Sequence, residues 1–431
     1  MFRFALFVIT ASALVLTPVR LAAQNQDQPL SDLLPDLYTD VSLREFRTFA
    51  SAFSFLDFDS LIDDVVTALQ QRLELSRNII SLAGNQLSSF PLGSASGGFT
   101  WALDTSSGVF TRASTSFGPI FAERPLTIGH GRLNVGMNFQ HVGFDHLEGR
   151  SLRGGEIVGY LGVKPFEDDF GVFFADTLDL TVTTDTLNAF ATYGLTDRLD
   201  IGVAVPINRV SMNASLTSRV GNTVSGISTT TTPVVTSDSG TASGIGDVVI
   251  RAKYNMLNRK TFAIAESADV RLPTGDELNL LGIAGSQVKL GFIASAVAGK
   301  VSPHLNLGYT ISGSSSAADD PDTFVFPPSE EFNYAGGADY ALSLRTTIAF
   351  DAVGRILRKA GTVTMEPSTF GPQFPQFRYN SGEDLHLLLG SVGVKVNPFA
   401  NMLVTASVLF PMTNSGLTDS LTWMAGGDYS F

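Results

Sequence analysis

The sequence predicts an all-β protein, a transmembrane antiparallel β-barrel of 12–14 strands preceded by a partly helical N-terminal segment. Three observations predict it. Segments of apolar–polar alternation recur from Gly131 to the end, and the connections between them alternate between short and long. No run after residue 23 approaches the ~18 apolar residues of a spanning helix. A chain that crosses a bilayer without such helices must close its sheet, because lipid satisfies no backbone hydrogen bond.

The N-terminus reads MFRFALFVITASALVLTPVRLAAQNQ. Arg3 supplies a positive n-region, Phe4 to Val19 an apolar stretch broken by Pro18, and LAA ahead of Gln24 a cleavage site. Residues 1–23 are therefore expected to be a secretory signal peptide. Its removal deletes Arg3 and Arg20 and no acid, taking the formal net charge from −13 to −15. That acidity argues against a nucleic-acid partner. With no Cys in 431 residues, stability has to come from the sheet rather than from disulfides.

Residues 24–95 differ from the rest of the chain. SLIDDVVTALQQRLELSRNIISLAG reads as a helix that Ser60 caps, with Asp63 three residues on, and that Gly84 ends. Ile62, Val66, Leu69, Leu73 and Ile80 form its apolar stripe, which needs a partner: the barrel lumen, residues 31–57 or another chain. The segment is expected to be a plug or a periplasmic piece. Residues 96–129 contain a short hairpin, GFTWALDTSSGVFTRAS, that either raises the strand count to fourteen or lies inside the barrel.

The barrel is expected over 130–431. In RLNVGMNFQHVGF, Leu133, Val135, Met137 and Phe139 oppose Asn134, Gly136, Asn138 and Gln140. Twelve such segments succeed one another, near 131–144, 176–194, 197–217, 246–257, 260–272, 286–298, 303–313, 332–342, 344–356, 385–397, 401–411 and 419–431. Each supplies about the 9–11 residues a tilted strand needs. The turns TDR, LNRK, AGKVSP and PFAN are short, whereas 145–175, 218–245, 273–285, 314–331 and 357–384 are long. Tight periplasmic turns and long outer loops are the asymmetry of an outer-membrane barrel with an even strand count. Pro206, Pro273 and Pro411 all fall about ten residues beyond a short turn, where a strand can leave the continuous sheet and a missing N–H costs little. The loop 218–245, rich in Ser, Thr and Gly, reads as solvated. The last strand, SLTWMAGGDYSF, puts Trp423, Tyr429 and Phe431 on its apolar face at the membrane boundary.

YGLTDRLDIGVAVPI (193–207), GIGDVVIRAKYNML (244–257) and VRLPTGD (270–276) resemble the outer-membrane barrel family named for the MetA pathway of phenol degradation, itself similar to the long-chain hydrophobe transporters. The resemblance covers roughly residues 125–431. It implies a barrel that passes small hydrophobic solutes, and a terminal aromatic strand (Trp423, Tyr429, Phe431) that the barrel assembly machinery reads.

Alternation points Arg251, Lys253, Asp269, Arg271, Lys289, Asp339, Arg345, Asp351, Arg355, Lys395 and Asp428 into the lumen, as a selectivity lining or as an internal salt-bridge network. Twelve to fourteen strands lie between a filled eight-strand barrel and an open sixteen-strand porin, so the pore is expected to be narrow or plugged. Strict alternation would aim Glu266 at lipid, where a carboxylate is expensive; a wall bulge that turns it inward is the expected remedy.

Chemistry has one candidate, a rim cluster of His141, Asp145 and His146 with Asp384 and His386. No G-x-S-x-G, H-E-x-x-H or Cys/His spacing accompanies it, and DDPD (319–322) lacks the spacing and glycine of a calcium loop. No cofactor or metal is expected, and no enzyme. The functional expectation is passive diffusion of small, hydrophobic or aromatic molecules across an outer membrane. A closed barrel that supports the envelope or binds a surface partner is the alternative, and an outer-rim hydrolase ranks third.

Overall fold

The computed structural model describes residues 28–52, 59–88, 90–91, 93, 98–104, 109–112, 116–166, 170–224, 227–230, 232–313, 328–368 and 371–431. The signal peptide expected over 1–23 lies outside the described residues.

Twelve strands close on themselves: β1 Leu133–Phe144, β2 Phe170–Gly194, β3 Leu199–Val224, β4 Val248–Asn258, β5 Phe262–Leu272, β6 Gln287–Ala296, β7 Val301–Ser312, β8 Glu331–Ser343, β9 Thr346–Leu357, β10 Leu385–Val396, β11 Met402–Pro411 and β12 Thr422–Ser430. Each pairs antiparallel with its sequence neighbour, and β12 closes against β1 from Trp423↔His141 to Ser430↔Asn134. The hairpin Trp101–Asp104/Val109–Arg112 pairs only with itself, so the barrel has twelve strands and not fourteen.

Alternation decides what each face meets. Leu290 is 56% exposed, Phe350 53% and Leu305 46%, while the intervening Asn134, Lys253, Asp269 and Thr347 are buried inside. Exposed aromatics form two girdles: Tyr193, Tyr254, Phe262 and Tyr340 near the short turns, and Tyr309, Phe332, Phe410 and Trp423 near the long loops. An apolar outer band between aromatic girdles is the surface a bilayer requires. Phe431 is 61% exposed at the short-turn edge, and its amide donates to Leu133 O at 2.7 Å.

Beyond the band the wall continues, and its polarity inverts. On β2, Val182, Leu180 and Leu178 point inward and are buried, while Thr183, Thr181 and Asp179 face out. On β3 the same exchange sets Val210, Met212 and Leu216 inside and Arg209, Ser211 and Asn213 outside. The period of two never breaks; only the solvent changes. Residues 157–166 and 234–245 pair with this extension of β2 and β3. The loop 218–245 is therefore largely strand, a correction to its reading as solvated loop: serine and threonine in alternation serve a wall whose outer face is in water.

The inverted wall is apolar within because helices fill it. Helix α1 (Leu33–Ala52) and helix α2 (Asp59–Ser88) sit at the long-loop end, where Leu34, Leu37, Val41, Ile79, Ile80 and Leu87 join Val182, Met212, Leu216 and Leu385 in one core. Of the stripe expected on α2, Ile80 is fully buried and Leu73 packs at the edge of that core; Ile62, Val66 and Leu69 lie outside the residues whose side chains are described. Gly84 does not end α2. Ala83, Asn85, Gln86 and Leu87 are buried around it, and that packing outweighs the roughly 1 kcal/mol a mid-helix glycine costs.

Candidate functional site in the barrel lumen

From the cap the chain turns into the barrel at Phe90–Pro91. Residues 116–128 then run through the lumen to the short-turn end, where they meet β1. This segment forms no strand and has no ladder of its own. Irregular backbone at membrane depth survives only where the protein satisfies its polar groups, and the inward side chains do so. Thr347 Oγ1 accepts from Phe117 N at 2.9 Å, and Asp351 Oδ2 accepts from Ile120 N and Phe121 N at 3.0 and 3.1 Å. Lys395 donates to Pro119 O, Asn255 to Pro125 O at 2.8 Å, and Lys253 to Leu126 O at 3.0 Å. Asp200 accepts from Ile128 N at 3.2 Å.

Ion pairs complete the packing. Arg251 donates through Nε and Nη2 to the two oxygens of Asp269, at 2.6 and 2.7 Å, and through Nη1 to Glu123. His304 Nε2 lies 2.6 Å from Asp351, and its Nδ1 lies 3.7 Å from Asp339, which also faces Arg124. The Asn134 side-chain amide donates to Asp428 Oδ1 at 3.0 Å.

The structure thus divides the predicted lumen charges. Arg251, Lys253, Asp269, Asp339, Asp351 and Lys395 are buried or half-buried in contacts with residues 116–128 or with one another. Arg271, Lys289 and Arg355 line a cavity of about 240 Å³ together with Arg251, Lys253 and Asp269, and with Phe90 and Phe121 from the threaded chain. Arg345 is a correction: it stands exposed in the tight turn between β8 and β9, where its amide donates to Ser343 Oγ at 3.1 Å. Alternation extended through a two-residue turn had assigned it a face that the turn does not have.

Glu266 is the second correction. Its register is unbroken between Tyr254 on β4 and Phe292 on β6, and the carboxylate stays exposed on the outer face. The bulge in this part of the wall lies between Asn255 and Leu257, on the neighbouring strand.

Pro206 sits beside a two-residue irregularity at Gly246–Asp247, where β4 gives way to residues 234–245 as the partner of β3, and Gly246 N donates to its carbonyl at 2.8 Å. The wall continues above it, so Pro206 marks a break in one ladder and not the rim. Pro273 lies just past β5, and Pro411 ends β11.

The rim histidines do not assemble. His141 Nδ1 lies 2.6 Å from Asp185, with its ring stacked on Trp423, whereas His146 Nδ1 lies 2.7 Å from Asp145, which Ser420 also contacts. Asp384 binds Arg358 and the Lys359 amide at the head of another strand. Three separate surface pairs offer no shared point at which a reacting atom would meet both a nucleophile and a base. Among the described residues no group of three or more His, Asp or Glu is placed to hold a metal ion.

Sequence reasoning missed Glu123, Arg124, Asp200 and His304. The alternation in SPHLNLGY already sets His304 opposite Leu305 and Leu307. Glu123 and Arg124 carry no periodic signal, because their segment belongs to neither helix nor strand.

A twelve-strand barrel with a chain threaded through a polar lumen and an apolar outer band defines a membrane-spanning channel-like protein. Residues 168–359 match the model of the family described as "Putative MetA-pathway of phenol degradation", which spans β2 to β9 and includes all three motifs that carry the resemblance. No curated protein sequence matches the chain. Among solved structures, an outer membrane channel from Pseudomonas putida F1 is 14% identical, with 71% of this chain and 97% of that chain covered and a TM-score of 0.42. The CymD monoaromatic hydrocarbon channel is 8% identical, with 71% and 91% covered and a TM-score of 0.34. The Ralstonia pickettii toluene transporter TbuX is 9% identical, with 72% and 92% covered and a TM-score of 0.33. Likeness this distant carries no argument about solutes.

Proposed function

We propose that the protein is an outer-membrane channel through which small, hydrophobic or aromatic molecules diffuse passively. One observation carries this reading: the lumen keeps an internal cavity of about 240 Å³ beside the threaded chain. Phe90 lines that cavity and two smaller ones, of about 30 and 20 Å³, which reach toward the long loops past Leu87, Val142 and Phe144 on one side and Leu387 and Leu417 on the other. The apolar side chains around the two smaller cavities are buried in the core between cap and wall, and the larger cavity is where a solute can form hydrogen bonds. In this reading the long loops and the helical cap face the exterior, the short turns face the periplasm, and the barrel's partners are outer-membrane lipid, the assembly machinery and the solute. Export by the signal peptide expected over residues 1–23 belongs to the same proposal.

A second reading, a closed barrel without transport, draws support from the dense polar contacts that fix residues 116–128 across the lumen. Uptake into protein-loaded vesicles separates the two. Entry of a small aromatic solute at a rate proportional to protein content supports the channel, and a rate equal to that of protein-free vesicles supports the closed barrel.

A further inference from the structure

The short turns carry a charge opposite to that of the whole chain. Arg198 lies between β2 and β3, Arg259 and Lys260 between β4 and β5, Lys300 between β6 and β7, and Arg345 between β8 and β9. Asp197 is the one acidic residue in these turns, on a chain whose formal net charge is −13. All five cations are exposed, and among the described residues none of their side chains forms an ion pair. Asp200 of β3 and Asp339 of β8, close to the same end, face the lumen and are buried.

The distribution is one-sided. Four consecutive turns hold the cations, whereas the next, between β10 and β11, has no charged residue. Apolar side chains share the charged turns: Leu344 is 79% exposed, and Leu195 and Val297 are exposed as well. On the outer face just inside these turns stand Tyr193, Tyr254, Phe262 and Tyr340 of the girdle. A soluble anion needs no apolar neighbour to its cations. Exposed apolar tips over a tyrosine girdle belong at a bilayer interface, where Lys and Arg stems lie along apolar surface and their heads reach the phosphates.

We propose that this crescent is a docking surface for anionic phospholipid, with headgroup phosphates held by Arg198, Arg259, Lys260, Lys300 and Arg345. A cluster of about four to eight Lys and Arg at a membrane edge attracts anionic lipid, each cation adding to the pull. A zwitterionic headgroup gains less, because its own cationic group meets like charge. The proposal rests on the barrel lying in a bilayer and not on its passing a solute, so a failed uptake experiment leaves it standing. In the outer-membrane reading the lipid belongs to the periplasmic leaflet, where the short turns emerge.

The test is electron spin resonance of the full-length protein refolded into phosphatidylcholine bilayers, with spin-labelled phosphatidylglycerol or phosphatidylcholine as the probe. Lipid held at the barrel is motionally restricted, so the restricted fraction gives the relative affinity of each. Phosphatidylglycerol should be favoured at least about twofold, averaged over the boundary shell, and raising salt from about 0.05 to 1 M should remove most of the preference. Lys260→Gln/Lys300→Gln/Arg345→Gln should remove it at low salt. Arg150→Gln/Arg153→Gln/Arg219→Gln, which deletes three exposed cations at the long-loop end, should keep it. No preference for phosphatidylglycerol would overturn the proposal, as would a folded rim variant that keeps it or a long-loop variant that loses it equally. Should the rim variant fail to fold, a wild-type preference that survives 1 M salt decides against the proposal. Release of the labelled lipid by glycerol 3-phosphate would also overturn it, since the rim would then read a free phosphate.

Discussion

Arg72 of the helical cap donates through Nε and Nη2 to the two carboxylate oxygens of Asp176 on the barrel wall, 104 residues further along the chain, the first bond being 2.7 Å long. Its Nη1 reaches Glu45 of α1 at 2.7 Å, and its guanidinium lies 4.7 Å from the Phe174 ring centroid. One fully buried cation thus ties both helices to the extension of β2.

Removing one partner of a buried, hydrogen-bonded charge set costs about 3–5 kcal/mol, because the remaining charges stay desolvated. Arg72→Met should therefore release the cap while the twelve-strand barrel stays folded. Hydrogen exchange read by mass spectrometry should speed up over 28–88 and not over β5 to β12. Uniform loosening of both regions would show that the cap and the barrel unfold as one unit.

The same site makes cap docking pH-dependent. Burial pushes the Glu45 carboxyl above its ordinary range, Arg72 opposes the push and Asp176 adds to it. A raised folded-state value for an acid means that the docked cap binds the proton more tightly than the free one. Its contribution is present below the ordinary glutamate value and is lost as pH rises through the raised one. Proteolysis of residues 28–88 should slow as pH falls from about 8 towards 5, and Glu45→Gln should flatten that dependence. Faster cleavage on acidification would contradict the assignment.

Inside the lumen, Asp351 is the most heavily used anchor, accepting two amides of the threaded chain and facing His304. Asp351→Ala leaves those donors buried without an acceptor, at about 1–3 kcal/mol each. The denaturation midpoint should drop, and single-channel current should become noisier as residues 116–128 lose their hold. A quiet channel of wild-type conductance would mean that the other anchors suffice.

Glu266 makes the opposite prediction. An outward carboxylate on the lipid face is a cost, so Glu266→Leu should raise the denaturation midpoint in vesicles, by about 1–2 kcal/mol in stability. A fall would mean that the carboxylate serves a partner at that surface.

Much of the wall was legible because a strand has a period of two and the two faces of the membrane band differ so strongly. Leu290, Phe350 and Asp351 fall on the faces their alternation assigns. The inversion at Val182 and Val210 was not legible. An apolar–polar alternation reads the same whether lipid lies outside or a helix lies inside, and only the cap's position tells them apart. The cap interior was hidden for a related reason: Arg72 sits beside the stripe of α2, where a lone arginine reads as a solvated edge. Residues 116–128 carry no period at all, since their backbone is held by side chains from several strands.

The central claim is that a narrow path survives beside the threaded chain and beneath the cap. Single-channel conductance in a planar bilayer tests it most directly, with the full-length protein compared with Arg72→Met. The account predicts small, discrete openings from the full-length protein and larger or more frequent ones once the cap is released. Silence from both proteins, with the variant shown by exchange to have lost its cap, would contradict it.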